Sequence, residues 1–261
     1  MPSVPTVSII TVSRNAAATI SDCLDSVAGQ KQQNISAEHI IVDGVSTDAT
    51  PRILADKIAE KRSCISRLIS EPDKGIYDAM NKGLALAEGE IIGFLNADDL
   101  YASDDVLAQV CNAFADPAVH SCYGDLLYVD AAQPEKIVRF WRAGSYDAKK
   151  FYWGWMPPHP TFFVRRQVYE QYGQFNTALG SAADYELMLR FLLGYRISTV
   201  YIPQVLVRMR TGGISNVTLA NRLRANRMDR RAWAVNGLRP YLWTLWMKPA
   251  RKISQWFVHA R

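Results

Sequence analysis

The feature that most constrains this chain is the alternation of short β-branched runs with amphipathic helical stretches over its first 130 residues. Residues 6–12 are a β-branched run of the kind that fills a buried strand. A helical pattern follows, with Ile20, Leu24 and Val27 on one face, and residues 39–43 read as a second strand. Thr50 and Pro51 form a cap and first-turn pair that opens a helix through Ile53, Leu54 and Ile58. Residues 64–70 predict a third strand, 76–87 a helix with Gly89 near its end, and 90–95 a fourth strand. Residues 103–114 then predict a helix closed by Asp116-Pro117. Strands spaced by helices of this length imply βαβ units and a parallel sheet covered on both faces.

Beyond Val129 the pattern loosens. Residues 137–141 and 197–207 are strand-like, the latter despite Pro203. Residues 151–159 read as an aromatic, proline-rich loop, and helices are expected near 165–172 and 183–193. From Val217 the chain reads as helix interrupted at Pro240 and Pro249. Two regions follow, a catalytic domain over 1–216 and a basic, aromatic-rich helical tail over 217–261. Residues 221–261 hold ten Lys/Arg and one Asp, a net +9 against +5 for the whole chain, so residues 1–220 carry −4. An acidic body with a basic tail differs from a uniformly basic nucleic-acid binder, and no nucleic-acid module is present.

Four scattered cysteines without metal-ligand spacing fit reduced thiols and a cytoplasmic setting. No signal-peptide pattern and no run of about 18 apolar residues is evident. Four of the seven tryptophans fall in the tail beside its cations, a mixture suited to an anionic membrane surface. The competing reading is packing on the domain or on a second copy in a homodimer.

In open parallel α/β sheets, ligands bind beyond the carboxyl ends of the strands. Polar clusters stand at three such ends: Ser13-Arg14-Asn15, Asp43-Gly44 and Asn96-Ala97-Asp98-Asp99. Carboxylates on a turn beside a buried sheet can hold a hard cation through oxygen, as Mg²⁺ or Mn²⁺ prefers. The same turn can also be only a cap for the following helix. The run from Asp43 to Thr50 is neither GxGxxG nor GxxxxGK[ST], so dinucleotide and P-loop readings fail on spacing, and Asp48 is expected to cap a turn.

Thr11-Val12-Ser13-Arg14-Asn15, the 43–50 run, residues 71–83 and Phe94-Leu95-Asn96-Ala97-Asp98-Asp99 together resemble the family 2 glycosyltransferases. These are inverting, nucleotide-sugar-dependent enzymes of the GT-A fold, a Rossmann-like, mostly parallel sheet flanked by helices. The resemblance spans roughly residues 6–216. It is nearest the bacterial branch that builds exopolysaccharide, colanic-acid-type or lipopolysaccharide chains. It implies a donor, normally UDP-linked, held by Ser13, Asn15, Asp43, Lys74, Asp78, Asn81, Asn96 and Ala97. Asp43 would contact the nucleobase. Asn96 and Asp98 fall at the ends of the family's D-x-D motif, with Asn in place of the first Asp. The metal, Mn²⁺ or Mg²⁺, is therefore placed on Asp98, with a longer reach for Asp99.

The segment Ser181-Ala182-Ala183-Asp184-Tyr185-Glu186 resembles the family's catalytic-base segment and puts the base on Asp184, which would also cap its helix. Glu186 is expected to face solvent or pair with Arg190. Pro158-His159-Pro160-Thr161 resembles the acceptor side, so His159, Trp155 and Arg210 are expected near acceptor or diphosphate. Trp153 and Trp155 are each open to stacking on a sugar or to serving the core. Asp78 and Lys82 can alternatively form a surface ion pair. Residues 212–215 resemble a loop closing over the donor, and the absence of QxxRW disfavours processive synthesis.

The expectation is thus a transferase of a hexose or N-acetylhexosamine onto a glycan or lipid-linked acceptor, peripheral on the inner face of the cell membrane. Two alternatives stand beside it. A sugar-nucleotide nucleotidyltransferase would need a glycine-rich basic loop that Ser13-Arg14-Asn15-Ala16 does not supply. A catalytically silent sugar-nucleotide-binding partner would be expected to have lost the carboxylate at 184.

Overall fold

The computed structural model describes residues 7–31, 35–60, 64–212 and 219–254. The tail residues Trp256 and Phe257, and the expected closing loop beyond Gly212, lie outside them.

The first half builds as the alternation requires. Strands β1 (Val7–Ser13), β2 (Ala37–Asp43), β3 (Ile65–Ser70) and β4 (Ile91–Phe94) are parallel in the order β3-β2-β1-β4. β1 is buried along its whole length, whereas β3, at the sheet edge, alternates half-buried and exposed residues. Helix α1 (Ile20–Ala28) buries Ile20, Cys23, Leu24 and Val27, an i, i+3, i+4, i+7 stripe. Helices α2 (Thr50–Ala59) and α3 (Ile76–Leu86) complete the crossovers, with Pro51 in the first turn of α2. Asp48 accepts the Thr50 and Ala17 amides (2.9 and 3.1 Å), so it caps the turn and ties it to α1's approach.

The second half departs from a uniformly parallel sheet. β5 (Asp99–Tyr101), β6 (Ser121–Val129), β7 (Ile137–Trp141), β8 (Phe163–Arg165) and β9 (Thr199–Arg210) extend one sheet as β4-β8-β6-β9-β5, with β7 on β6. β8 runs antiparallel to both β4 and β6, and β5 antiparallel to β9. The Asp99 amide donates to the Asn96 carbonyl (2.9 Å). That turn keeps the start of β5 within about 14 Å of the end of β4, while four flat strand spacings would need about 19 Å. The sheet must therefore curl, and β5 folds back over α1, where its Tyr101 amide donates to Ser26 Oγ (3.2 Å). Pro203 sits at a register shift between β6 and β9, where its missing N–H breaks no ladder bond.

Helix α4 (Val106–Ala113) covers this sheet. The short α5 (Lys149–Tyr152) and a 3₁₀ turn (His159–Thr161) replace the expected continuous loop. Helix α6 (Arg166–Tyr172) follows, and α7 (Ala183–Met188) runs on as a π-helical turn through Gly194. Beyond residue 218, α8 (Leu219–Val235) and α9 (Thr244–Ser254) form the tail, and Pro249 lies inside α9 instead of breaking it.

His39 is fully buried on β2 and bonded to Thr11 Oγ1 (2.8 Å). Burial pushes its imidazole down to about 3 from an ordinary 6.5. The unfolded chain therefore binds a proton in that window that the folded chain does not, so stability should fall as pH drops below 6.5 toward 3. Urea midpoints measured across that range should decline, and His39→Gln should flatten the decline.

Candidate active site

Parallel pairing with β1 aligns the carboxyl ends of β2 and β4 with its own. Ser13 stands opposite Asp43 in register, and Phe94, two residues before Asn96, opposite Ile10. The loops after β1, β2, β3 and β4 meet there.

Asp43 is buried and accepts four hydrogen bonds, from Ser13 Oγ (3.0 Å), Ser46 Oγ (2.5 Å), Ser46 N–H (2.8 Å) and Ser70 Oγ (3.0 Å). Burial alone would raise its carboxyl, but these donors outweigh it and hold it below its ordinary value. Asn15, at a left-handed φ of 51°, accepts the Thr47 amide (2.8 Å) and donates its own N–H to Ser46 Oγ (2.8 Å). Ser13, Asn15 and Asp43 thus lock the first two loops together, and a base reaching Asp43 must displace one of the serine donors. A Cβ on Gly44 would lie 2.3 Å from Asp73 Oδ2, which is how closely the third loop approaches.

In that third loop Lys74 is exposed, and its N–H donates to Asp78 Oδ2 (3.0 Å). Asp78, expected on the nucleotide side, caps this turn and lies 3.7 Å from Lys82, which bonds the Pro72 carbonyl (2.6 Å) and Glu71 (2.9 Å). Asn81, also expected on the donor, grips the Phe175 backbone with both ends of its amide (2.9 and 3.0 Å). It braces the Phe175 segment, with one amide N–H and one oxygen lone pair left over.

The acidic turn is different. Asp98 is half-buried, and no described side chain pairs with its carboxylate. Asp99 is buried and accepts a long bond from Asn96 Nδ2 (3.3 Å), and the buried Oδ1 atoms of both Asn96 and Asp99 have no partner among the described residues. Burial, with Asp98 beside it, pushes the Asp99 carboxyl well above the carboxylate range. Ala97 is buried between α1 and α2, anchoring the turn. Arg210, expected at the diphosphate or acceptor, is buried beneath it instead, donating to the Asp98 carbonyl (3.0 Å) and pairing with Asp22 of α1. Its guanidinium positions the turn and is already engaged.

Asp184 lies in the first turn of α7, half-buried, its Oδ1 accepting the Tyr185 N–H (2.7 Å); Ala182 stands at the cap position with no side-chain cap bond, so Asp184 is not the expected cap. Tyr77 lies near Asp184; burial, reinforced by that carboxylate, raises the phenol well above its ordinary value. His159 lies in the field of the same carboxylate, its imidazole lowered by burial and opposed by Asp184. It stacks on Phe94 (5.9 Å between ring centres), which links Asp184's surroundings to the end of β4. Trp155, expected against a sugar, is core: its indole N–H donates to the Ala143 carbonyl (2.8 Å) and it packs edge-on to Tyr123 and Phe151. Glu186, two residues past Asp184 and about 200° around the helix, is buried against Arg190 (2.9 Å) and not in solvent. It lines a separate cleft of about 470 Å³ with Arg190, Tyr195 and Asn236.

Tyr77 and Asp22 escaped the sequence reading. Tyr77 adjoins the quoted Asp78, and Asp22 meets Arg210 from 188 residues away, so neither had a local signal.

The model of the family described as "Glycosyl transferase family 2" matches residues 8–173. The chain belongs to this family. A "PGL/p-HBAD biosynthesis glycosyltransferase" of Mycobacterium bovis is 34% identical over 216 residues, covering 81% of this chain and 80% of that one. Among solved structures, S. aureus TarS 1–349 in complex with UDP-GlcNAc superposes with a TM-score of 0.68 at 17% identity, over 95% of this chain and 73% of that one. A Pyrobaculum calidifontis mannosyltransferase in complex with GDP-Man and Mn²⁺ gives 0.65 at 20% identity, over 100% and 77%. The curled, mixed sheet of this glycosyltransferase is the GT-A fold.

Helix α7 of the enzyme, which carries Asp184, is braced by the tail. Trp233 of α8 is fully buried and donates its indole N–H to Tyr185 Oη (2.9 Å). Trp233→Phe should leave that hydroxyl without its donor and cost about 1–2 kcal/mol, read as a lower urea midpoint at unchanged slope.

Proposed function

We propose that the chain is an inverting transferase that moves a hexosyl or N-acetylhexosaminyl group from a nucleotide-diphosphate sugar, UDP-linked, to a glycan or lipid-linked acceptor in bacterial surface polysaccharide synthesis. The observation that carries this is the pairing of one available carboxylate, Asp184, with an acidic turn whose buried oxygens lack partners.

Asp184 accepts the acceptor hydroxyl proton as that oxygen attacks the sugar carbon from behind, with Tyr77 and His159 in the field of its charge. The donor lies along the edge formed by Ser13, Asn15, Asp43 and Asn96, and exposed Lys74 offers its charge to the diphosphate. UDP-GlcNAc in the TarS complex, and GDP-Man with Mn²⁺ in the mannosyltransferase complex, support a nucleotide-sugar donor and a divalent ion here. Asp98 and the unpartnered Oδ1 atoms of Asn96 and Asp99 are hard oxygen donors that suit Mn²⁺ or Mg²⁺. Among the described residues no group of three or more His, Cys, Asp or Glu side chains is placed to hold an ion, and Asp98 with Asn96 and Asp99 would hold one together with a bound diphosphate. Such an ion, when bound, neutralises charge on the departing nucleoside diphosphate.

No helix among the described residues is long and apolar enough to cross a membrane. The enzyme works at the cytoplasmic face, with the basic tail as its membrane contact. The test is turnover of a panel of UDP-, GDP- and dTDP-sugars by purified protein, with and without Mn²⁺, on lipid-linked and free glycan acceptors. Metal-dependent transfer from a UDP-sugar is expected. Binding without turnover for every pair would overturn the reading.

A further inference from the structure

The most prominent apolar surface is built from two distant segments. Leu242 is 88% exposed and Trp246 69%, with Tyr241, Trp243 and Trp153 about half exposed beside them. Trp153, from the end of α5, lies 5.9 Å from Trp243 between ring centres, and Tyr241 lies 5.1 Å from Trp243. These side chains are not exposed by fraying. Thr244 Oγ1 donates to the Tyr152 carbonyl (2.7 Å), and Lys248 of α9 pairs with Asp229 of α8 (2.8 Å). Gly154, at a φ of 74°, lets α9 pack backbone to backbone, since a Cβ there would lie 2.3 Å from the Lys248 nitrogen. While Leu245 and Thr244 face inward, the indoles are held outward on a fixed frame.

Soluble surfaces rarely expose such a contiguous patch unless something covers it. Charge decides what does. The segment carrying the patch has a net +9 over residues 221–261. A second copy would bring two such segments together, whereas an anionic lipid surface complements the charge and takes indoles and leucine at its interface.

We propose that Trp153, Tyr241, Leu242, Trp243 and Trp246 form a membrane-insertion face for anionic lipid, which rests on the reading of the tail as the membrane contact. The face includes a residue of the catalytic body, Trp153, six residues before His159. Docking therefore fixes the catalytic body on the lipid surface and does not merely tether it by the tail.

The test is cosedimentation of the full chain, and of the Leu242→Ser/Trp246→Ser double variant, with phosphatidylglycerol and with phosphatidylcholine vesicles. The full chain should sediment with phosphatidylglycerol alone, less so at high salt. The variant should bind at least about tenfold more weakly while donor hydrolysis in solution stays unchanged. A variant that sediments like the parent overturns this face and leaves the tail as the contact. A parent that sediments with neither lipid overturns both readings. A dimer lost in the variant, without lipid binding by the parent, assigns the face to a second copy and overturns the proposal.

Discussion

Asp184→Asn should lower transfer about 10²–10⁴-fold, the usual contribution of a positioned general base, while the donor dissociation constant stays within about twofold. The amide keeps the shape of the carboxylate and can still accept the Tyr185 N–H in the first turn of α7, so the helix should form as before. It cannot take the acceptor proton. Steady-state rates and donor titration, measured on the same preparation, separate the two roles. Parallel loss of turnover and donor affinity, with a lower unfolding midpoint, would make the role of Asp184 structural.

Asp98→Asn should lower kcat/KM at least about a hundredfold and raise the Mn²⁺ concentration needed for half-maximal rate. The first position of the turn is already a neutral amide, Asn96, so Asp98 is the carboxylate best placed for an ion. Asp99 is buried and held toward its neutral form. Removing the Asp98 charge leaves no comparable donor. The Arg210 bond goes to the Asp98 carbonyl and not to its side chain, so the turn should keep its shape. An unchanged Mn²⁺ dependence would place the ion elsewhere.

The strands that carry the site were legible because β1 and β2 contain β-branched runs, residues 9–12 and 40–42, and parallel strands deliver their polar ends to one edge. The strands that curl the sheet were not. β5 and β8 are three residues long, too short for any periodicity, and β6 carries Gly124 and Asp125 at its centre. Side-chain roles failed wherever the partner is distant in sequence. Arg210 meets Asp22, Asn81 meets Phe175, and Trp155 meets Ala143, and each of these left a ligand role for a structural one. Trp153 and Trp155 are the same residue two positions apart, yet one lies on the surface and the other in the core. The resemblance to a family supplied roles that no local pattern could, Asp184 foremost.

The place where the donor binds decides the roles of Asp43 and Asp98. Crystals grown with UDP and Mn²⁺, measured at the manganese absorption edge, locate it directly. An anomalous peak beside the Asp98 carboxylate, with the uridine lying toward Asp43, is the predicted result. A nucleotide in the cleft lined by Glu186, Arg190 and Asn236, or a manganese peak away from the Asn96–Asp99 turn, would contradict it.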